Sequence, residues 1–370
     1  MRIVVTGGDG FIGRNLRVRL GEVGHTDVVN ITRRTRDVEL RSAMADAEFV
    51  FHLAAVNRPK DDREFNEVNE GLTATVCAAL RATDRQVPLV YCSSTQATLD
   101  NPYGRSKRAG EIEVERYGAS TGSSVFVLRL TNVFGKWCRP NYNSVVATFC
   151  HNVARGLPIA VDDPDAPLRL LYIDDVVDGM IRLLDPATSA PGFVDVGPTY
   201  ATTVGAVAAV IQSLAESRRT LVIPPVGTGL MRALNATYLS YLAPADFAYG
   251  LRRHADPRGV FVEMLKTAEC GQFSYFTAPP GTTRGEHYHH TKAEKFLVVK
   301  GRARFGFRHI ITNETYDLVV DGDAARIVET VPGWTHDITN IGSDEMVVML
   351  WANEVFDPQR PDTIASKVNP

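Results

Sequence analysis

Between the β-branched run RIVVT at 2–6 and a stretch in which Ile12, Leu16 and Leu20 recur every four residues lies TGGDGFIG (6–13). Apolar residues at that spacing write a strand, a tight turn and an amphipathic helix. Gly7, Gly10 and Gly13 at such a junction permit the turn, a close approach of backbone to a pyrophosphate, and close packing of the helix on the strand. The helix N-terminus then attracts the phosphate charge. A plain strand-to-helix turn is the alternative, and the G-x-x-G-x-x-G spacing differs from the G-x-G-x-x-G form; the strand before and the helix after favour the dinucleotide. The alternation continues with VVNI (28–31), FVFHLA (49–54), a helix carrying Phe65, Val68, Leu72, Val76 and Leu80, then PLVYC (88–92), a helix from about Tyr103, and VFVLRL (125–130). Near-continuous apolar strands alternating with helices predict a parallel sheet covered on both faces, a doubly wound α/β fold of Rossmann type.

From about Gly250 the pattern changes. Residues 259–351 read as short runs (VFVEML, FSYFTA, EKFLVV, ARFGF, YDLVV, MVVMLW) separated by Gly, Pro, Asn and Asp, with no helical period. This predicts an all-β unit, a barrel or jelly roll. At 370 residues the chain is long enough for two domains, and the Pro-, Asp- and Gly-bearing stretch at 243–255 divides it into 1–245 and 246–370. Lys plus Arg is 40 and Asp plus Glu 43, so nothing in the overall charge favours a nucleic acid or an anionic membrane surface. The five cysteines, Cys77, Cys92, Cys138, Cys150 and Cys270, are odd in number and scattered, which fits neither a disulfide framework nor a cysteine zinc site. The N-terminus is not a signal peptide, and no apolar run approaches the roughly 18 residues of a membrane span. A soluble cytoplasmic protein without membrane insertion is expected.

After VVNI the chain runs ITRRT. An NAD site would place a carboxylate here for the ribose 2′-hydroxyl; Thr32, Arg33 and Arg34 stand there instead, which suits a 2′-phosphate and so NADPH. A solvated basic turn is the other reading. Further on, Tyr103 and Lys107 are four apart at the start of a helix and face one side. A lysine ammonium beside a phenol favours the phenolate and lowers its pKa, so Tyr103 can pass a proton to an oxygen becoming an alkoxide. Ser94, at the end of the preceding strand, is placed to hydrogen-bond the same oxygen, and strand register favours it over Thr95. The residues TGGDGFIG, HLAA (52–55), Asn69 in VNEG, SST (93–95), YGRSK (103–107), RLTNVFG (129–135) and YIDDVVDG (172–179) resemble the extended short-chain dehydrogenase/reductase family, with its sugar-nucleotide epimerases, dehydratases and reductases. The resemblance implies Ser94, Tyr103 and Lys107 as catalytic residues. It also implies a nicotinamide cofactor held around Gly7, Gly10, Phe11, Ile12, Gly13, Arg33, Arg34, Leu53, Ala54, Tyr103 and Lys107.

In the β-rich part, GTTRGEHYHHTKAEKFLVVKG (281–301) puts His287 and His289 two apart, on one face of a strand, with Glu294 following and His336 arriving later in PGWTHDITN. A single histidine would be structural or a surface residue. Four of the nine histidines (His287, His289, His290, His336) gathered with Glu294 point instead to a divalent ion, zinc first, with Fe, Mn or Ni also suited to imidazoles and a carboxylate. The spacing from Gly281 to Gly301 closely resembles the first motif of the cupin family. Pro332, Gly333, His336 and Asn340 match its second motif more loosely, since Pro and Gly are adjacent and Gly322 lies farther upstream than usual. DPRGVFVE (256–263) and RGEHYH (284–289) also resemble dTDP-4-keto-sugar 3,5-epimerases, in which the equivalent histidine is a base. His287 is therefore either a metal ligand, or a base with His290 taking its place on the metal.

The whole chain, a reductase followed by a cupin with WCRPNYNSVVATFC (137–150) between, resembles the bifunctional enzymes of capsular polysaccharide and O-antigen synthesis that make the precursor of UDP-N-acetyl-L-fucosamine. The resemblance implies a homodimer acting on a UDP-2-acetamido-2,6-dideoxy-4-keto-hexose. The cupin would epimerise C-3, and the reductase would use NADPH at the C-4 ketone to give UDP-2-acetamido-2,6-dideoxy-L-talose. Two rivals stand beside it. One is a single-activity 4-keto-sugar reductase whose cupin serves dimerisation or ligand binding; the other is a non-enzymatic NADP(H)-sensing regulator, against which an intact Tyr103 and Lys107 weigh.

Overall fold

A computed structural model describes every residue except 58–60, 62, 188–189, 257–258, 263–264, 266–270 and 355–358, and describes the side chains of all the rest except 66, 253–256, 259–262 and 272–274. Cys270 and the Pro257 and Arg258 of the DPRG motif thus lie outside the described residues.

The apolar runs of the first part become β1 (Ile3–Thr6), β2 (Val28–Ile31), β3 (Phe49–His52), β4 (Leu89–Ser94) and β5 (Val125–Leu130). They pair in parallel in the order β2-β1-β3-β4-β5, with a short strand Gly192–Phe193 at the far edge. Between them run α1 (Phe11–Glu22), α2 (Asp37–Asp46), α3 (Leu72–Arg81) and α4 (Pro102–Thr121). Because side chains alternate along a strand, Val4, Val50, Leu89, Tyr91 and Val127 share one face of the sheet, packed with Leu40 and Met44 of α2, Val76 and Leu80 of α3, and Val114 and Tyr117 of α4. Ile3, Val5 and Phe51 are buried on the other face. There α1 packs beside the helix Ile173–Arg182, and Arg19 donates to Asp178 at 2.9 Å.

The helix expected across Phe65 to Leu80 arrives in two pieces, a π-helical turn Phe65–Gly71 leading into α3. At the turn, Asn69 is 1% exposed; it accepts from the Val56 amide (2.8 Å) and donates to the Val56 carbonyl (3.1 Å) and to Ser106 (3.0 Å). A widened turn at such an inward polar residue is where π-bulges occur. Helix α4 begins as the sequence demands: Asn101 accepts from the Gly104 amide at 2.7 Å and Pro102 stands at the first helical position.

Two compact units result. The first is Met1–Phe134, Asn141–Ser144 and Leu168–Thr202; the second is Gly135–Pro140, Val145–Pro167 and Thr203–Pro370. The second unit therefore takes the helices Val145–Val153, Val204–Thr220 and Gly229–Leu239 together with the β-rich part, and a division at 245/246 runs through it. Among the described residues its strands form two five-stranded antiparallel sheets and a two-stranded ribbon, Arg253–Asp256 with Gly259–Val262. One sheet has the order Ala248–Gly250, Arg326–Glu329, Glu294–Lys300, Met346–Ala352, Gln272–Ala278; the other Thr315–Asp321, Arg302–His309, Trp334–Asn340, Thr283–Tyr288, Ile364–Ala365. Phe296 of the first sheet meets Phe305 and His336 of the second at ring separations of 5.8 and 6.2 Å. Among the described residues, no helix is long and apolar enough to cross a membrane.

Candidate active site and metal centre

The glycine turn is a cradle in which side chains do not fit. Gly7 has φ +71°, and a Cβ there would lie 2.7 Å from the Ala54 amide nitrogen; at Gly13 it would lie 2.4 Å from the Gly7 carbonyl. Gly10 caps α1 with extended backbone and no side-chain hydrogen bond, and α1 carries no acid in its first turn. Its free N–H groups and dipole are thus left for an anion. Phe11 and Ile12 form the first turn of α1, and Leu53 and Ala54 follow β3; all four are half-buried or more exposed. Arg33 and Arg34 are exposed on the turn after β2, held by the Arg34 amide donating to Thr32 at 3.1 Å. The fit of this cradle to a dinucleotide pyrophosphate rests on these close approaches.

Beneath the cradle runs a buried chain of hydrogen bonds. The Ala54 amide donates to Thr6 (3.3 Å), Thr6 and His52 Nδ1 are 2.7 Å apart, His52 Nε2 and Thr73 are 2.9 Å apart, and Thr73 donates to the Asn69 carbonyl (2.6 Å). Since the Thr73 proton is committed to that carbonyl, Nε2 of His52 carries the ring proton and Nδ1 accepts from Thr6. Burial, with Lys107 nearby, takes the His52 imidazole down to about 3, so it stays neutral. Asn69 passes the chain to Ser106, which donates to the Tyr103 carbonyl at 2.8 Å. The cradle and the first turn of α4 are thereby tied together.

Ser94 ends β4, accepts from the Gln96 amide at 3.2 Å and lies near the Tyr103 phenol, whereas Thr95 is exposed. The Tyr103 phenol is pushed up to about 12 by burial, against the opposing influence of Ser94. Lys107, 3% exposed, donates to the Cys92 carbonyl at 2.7 Å, and burial brings it down to about 8. The expected lowering of the tyrosine pKa by Lys107 is therefore not what this structure has: the ammonium is bound to a main-chain carbonyl, and desolvation of the phenolate dominates. Glu111, on the same helix, lies fully buried; it accepts from Ser93 (2.5 Å), twice from Arg129 (2.9 and 2.7 Å), and from Arg108 (2.8 Å). Arg129 of the RLTNVFG segment thus anchors α4 to β5.

In the second unit, His287, His289, Glu294 and His336 converge, with one ligand atom of each lying within 4.8 Å of all the others. Register explains it. His287 lies opposite His336 across the strand pair Thr283–Tyr288 and Trp334–Asn340, with a bulge between Gly285 and His287; Glu294 opens a strand of the other sheet. Glu294 Oε2 is 3.2 Å from His289 Nε2 and 3.5 Å from His336 Nε2. Its carboxyl is pushed up by burial but held well below the ordinary range by the two imidazoles. Among the described residues, His287 Nε2 and His336 Nδ1 are buried without a hydrogen-bond partner. Three imidazoles and a carboxylate, with buried nitrogens to spare, suit a divalent ion. His290 is not in the cluster: its backbone amide donates to Asp362 at 2.8 Å, and its ring stands edge-on to Tyr288.

A model of the NAD dependent epimerase/dehydratase family matches residues 3–197, the span that holds the cradle, Ser94, Tyr103 and Lys107. The chain belongs to that family. A second model, the polysaccharide biosynthesis C-terminal domain, matches residues 254–364. The chain is 52% identical over 368 residues, covering 100% of itself and 99% of the other, to the UDP-2-acetamido-2,6-beta-L-arabino-hexul-4-ose reductase of Pseudomonas aeruginosa. Among solved structures it is similar to the capsular polysaccharide assembling protein CapF of Staphylococcus aureus, with 40% identity, all of both chains covered and a TM-score of 0.68. The UDP-glucose 4-epimerase of Thermus thermophilus in complex with NAD shares the fold at 24% identity, with a TM-score of 0.50 over 58% of this chain and 83% of that one. As a member of the epimerase/dehydratase family, the chain is an enzyme of reductase/epimerase type with a nicotinamide-binding Rossmann fold.

Sequence reasoning missed Lys292, whose Nζ is 2.8 Å from Glu294 Oε1, and Asp362, whose carbonyl faces His289 Nδ1 at 2.5 Å. Only long-range pairing brings Asp362 to the cluster, and no local pattern signals it.

Proposed function

We propose that the chain is a bifunctional nucleotide-sugar enzyme. Residues 246–370, a metal-binding cupin, epimerise C-3 of a UDP-2-acetamido-2,6-dideoxy-4-keto-hexose, and residues 1–245 reduce the C-4 ketone to UDP-2-acetamido-2,6-dideoxy-L-talose. The observation that carries this reading is one chain holding a glycine cradle, a half-buried Tyr103 near Ser94 on the unit that carries the cradle, and a largely buried three-histidine, one-carboxylate cluster. The match along its whole length to a UDP-hexul-4-ose reductase supplies the substrate class.

When bound at the cradle, NADPH supplies the hydride, and Arg33 and Arg34 suit its 2′-phosphate. Tyr103, protonated because burial raises it to about 12, gives the proton that the C-4 oxygen needs once it becomes an alkoxide. Ser94 donates to the same oxygen and fixes its position. Lys107 holds α4 against the end of β4 through the Cys92 carbonyl. A divalent ion held by His287, His289, Glu294 and His336 would supply positive charge beside an oxygen that becomes anionic as C-3 loses its proton. Proton removal at C-3 needs the C-4 carbonyl intact, and reduction destroys that carbonyl, so epimerisation comes first.

The test is the full-length protein with a UDP-4-keto sugar in D₂O. Without NADPH, deuterium should enter at C-3; with NADPH, the product should keep that deuterium and take its C-4 hydrogen from the cofactor. Tyr103→Phe should cut reduction by roughly 10²- to 10⁴-fold, the usual share of one general acid, and leave the exchange unchanged. His287→Ala should abolish the exchange. NADPH oxidation with no deuterium at C-3 would leave a single-activity reductase, and loss of exchange in Tyr103→Phe would overturn the division of labour.

A further inference from the structure

We infer that the C-terminal segment 359–370 is a strap that preorganises the His/Glu cluster, with Asp362 as its positioning residue, so that metal binding and docking of the strap are linked. This rests on the metal reading above. The Asp362 carbonyl accepts from His289 Nδ1 at 2.5 Å, which commits a ring proton to that side and makes Nε2, facing Glu294 Oε2 at 3.2 Å inside the cluster, the nitrogen that an ion would take in place of a proton. The carboxylate of the same residue accepts three consecutive amides, those of His290 (2.8 Å), Thr291 (2.7 Å) and Lys292 (2.7 Å), and the Thr291 hydroxyl (3.0 Å). It thereby sets the turn that carries Lys292, whose Nζ engages Glu294 Oε1 at 2.8 Å. With Oε1 taken by Lys292, Glu294 turns a single oxygen toward the histidines. One residue of the strap therefore orients one ligand directly and a second through Lys292.

The strap is seated by main-chain pairing. Ile364 pairs with Tyr288 and Ala365 with His287, the Ser366 amide donates to the Glu286 carbonyl at 2.8 Å, Arg308 donates to the Lys367 carbonyl at 2.8 Å, and Val368 is 3% exposed. The ligand strand is thus an edge only until this segment adds to it. Partners behind a metal ligand fix its tautomer and ring orientation. Coupling between two binding events is reciprocal, so a bound ion must hold the strap down as strongly as the strap helps hold the ion.

The test uses the full-length protein and zinc. Competition against a chromogenic chelator should show Asp362→Ala binding zinc about 10- to 100-fold more weakly than the unmodified protein: the main-chain carbonyl remains, but loss of the carboxylate frees the 290–292 turn and so loosens both that carbonyl behind His289 and Lys292 on Glu294, an effect of the size seen when a partner behind a ligand is lost. The cobalt-loaded variant should show visible bands shifted from those of the unmodified protein, a signature that a change of stability alone does not produce. Hydrogen exchange followed by mass spectrometry needs no variant: zinc should slow exchange across 359–370 in the unmodified protein. Asp362→Asn, which keeps the shape but turns an NH₂ toward the amides, should behave like Asp362→Ala if the latter does not fold. Equal zinc affinity and an unchanged cobalt spectrum in these variants, or exchange in the strap indifferent to zinc, would overturn the inference while leaving the metal site standing. No zinc bound by the unmodified protein would overturn both.

Discussion

Replacing Glu329 with glutamine tests why the helix Val204–Thr220 belongs with the β-rich sheets. Glu329 is 3% exposed; it pairs across the strands with Lys295 and is also met by Arg218 near the end of that helix. Lys295 donates to the Tyr249 hydroxyl at 2.8 Å, and the Arg218 guanidinium lies 4.4 Å from the centre of the Tyr249 ring. Burial pushes the Glu329 carboxyl up, and Lys295 with Arg218 holds it below its ordinary value. Burial likewise pulls Lys295 down, and Glu329 with Tyr249 lifts it above its ordinary value. Glutamine preserves the shape and removes the charge, leaving a buried ammonium without an anion. Breaking a buried pair in this way costs about 3–5 kcal/mol, a large part of the roughly 5–15 kcal/mol that holds a domain folded. All three tryptophans, Trp137, Trp334 and Trp351, lie in the second unit, so urea unfolding followed by tryptophan fluorescence reads that unit alone. A folded-state value lowered for Glu329 means stability present above about pH 4.3 and lost as pH falls; one raised for Lys295 means stability present below about pH 10.4 and lost as pH rises. The deficit of Glu329→Gln should therefore be largest near neutral pH, shrink as acid protonates the carboxylate of the unmodified protein, and shrink as pH rises toward about 10.4, because burial makes the stranded Lys295 lose its proton in the folded variant before it does in the unfolded chain. Adding Lys295→Met should restore part of the loss. A variant within about 0.5 kcal/mol of the unmodified protein at pH 7, the range of an ordinary surface change, would refute this account of the joint.

Arg33→Ser should raise the KM for NADPH about 10- to 100-fold, the worth of one charge-assisted hydrogen bond, and leave that for NADH unchanged in initial-rate measurements; equal use of both cofactors by the unmodified protein would show that Arg33 and Arg34 face only solvent. Glu294→Ala should lose the divalent ion, and His290→Ala should keep it, by elemental analysis of protein purified without chelators. Stripping the ion should lower the thermal unfolding of the second unit, because binding energy there is folding energy, and protein purified with no ion at all would leave the four residues as acid-base groups.

The reading of the candidate sites from sequence divides along the same physical line as the reading of the fold. Gly7 and Gly13 were recognisable because their need is local: a positive φ at Gly7, and at Gly13 a close approach to the Gly7 and Gly8 backbone that any Cβ would block. Tyr103 and Lys107 were recognisable because a four-residue spacing survives wherever the helix goes. The acidity of Tyr103 was not, since it depends on how deeply the ring is covered and on Lys107 being drawn to the Cys92 carbonyl. His290 looked equivalent to its neighbours in HYHH, and the turn pinned by Asp362 sets its ring against Tyr288 and outside the cluster.

By itself the sequence determined the parallel order of elements through Leu130, the all-β character of the later part, the cradle, the Ser94–Tyr103–Lys107 group and four of the cluster's residues, because strand and helix periods and the steric demands of glycine act over a few neighbours. Only the tertiary structure decided that Gly135–Pro140 and Thr203–Pro370 form one unit, that Glu329 joins Arg218 to Lys295, and that Asp362 stands behind His289. Those pairings join residues distant in the chain, and what selects them is the cost of leaving a buried charge or amide without a partner, a condition that exists only once the chain has closed around it.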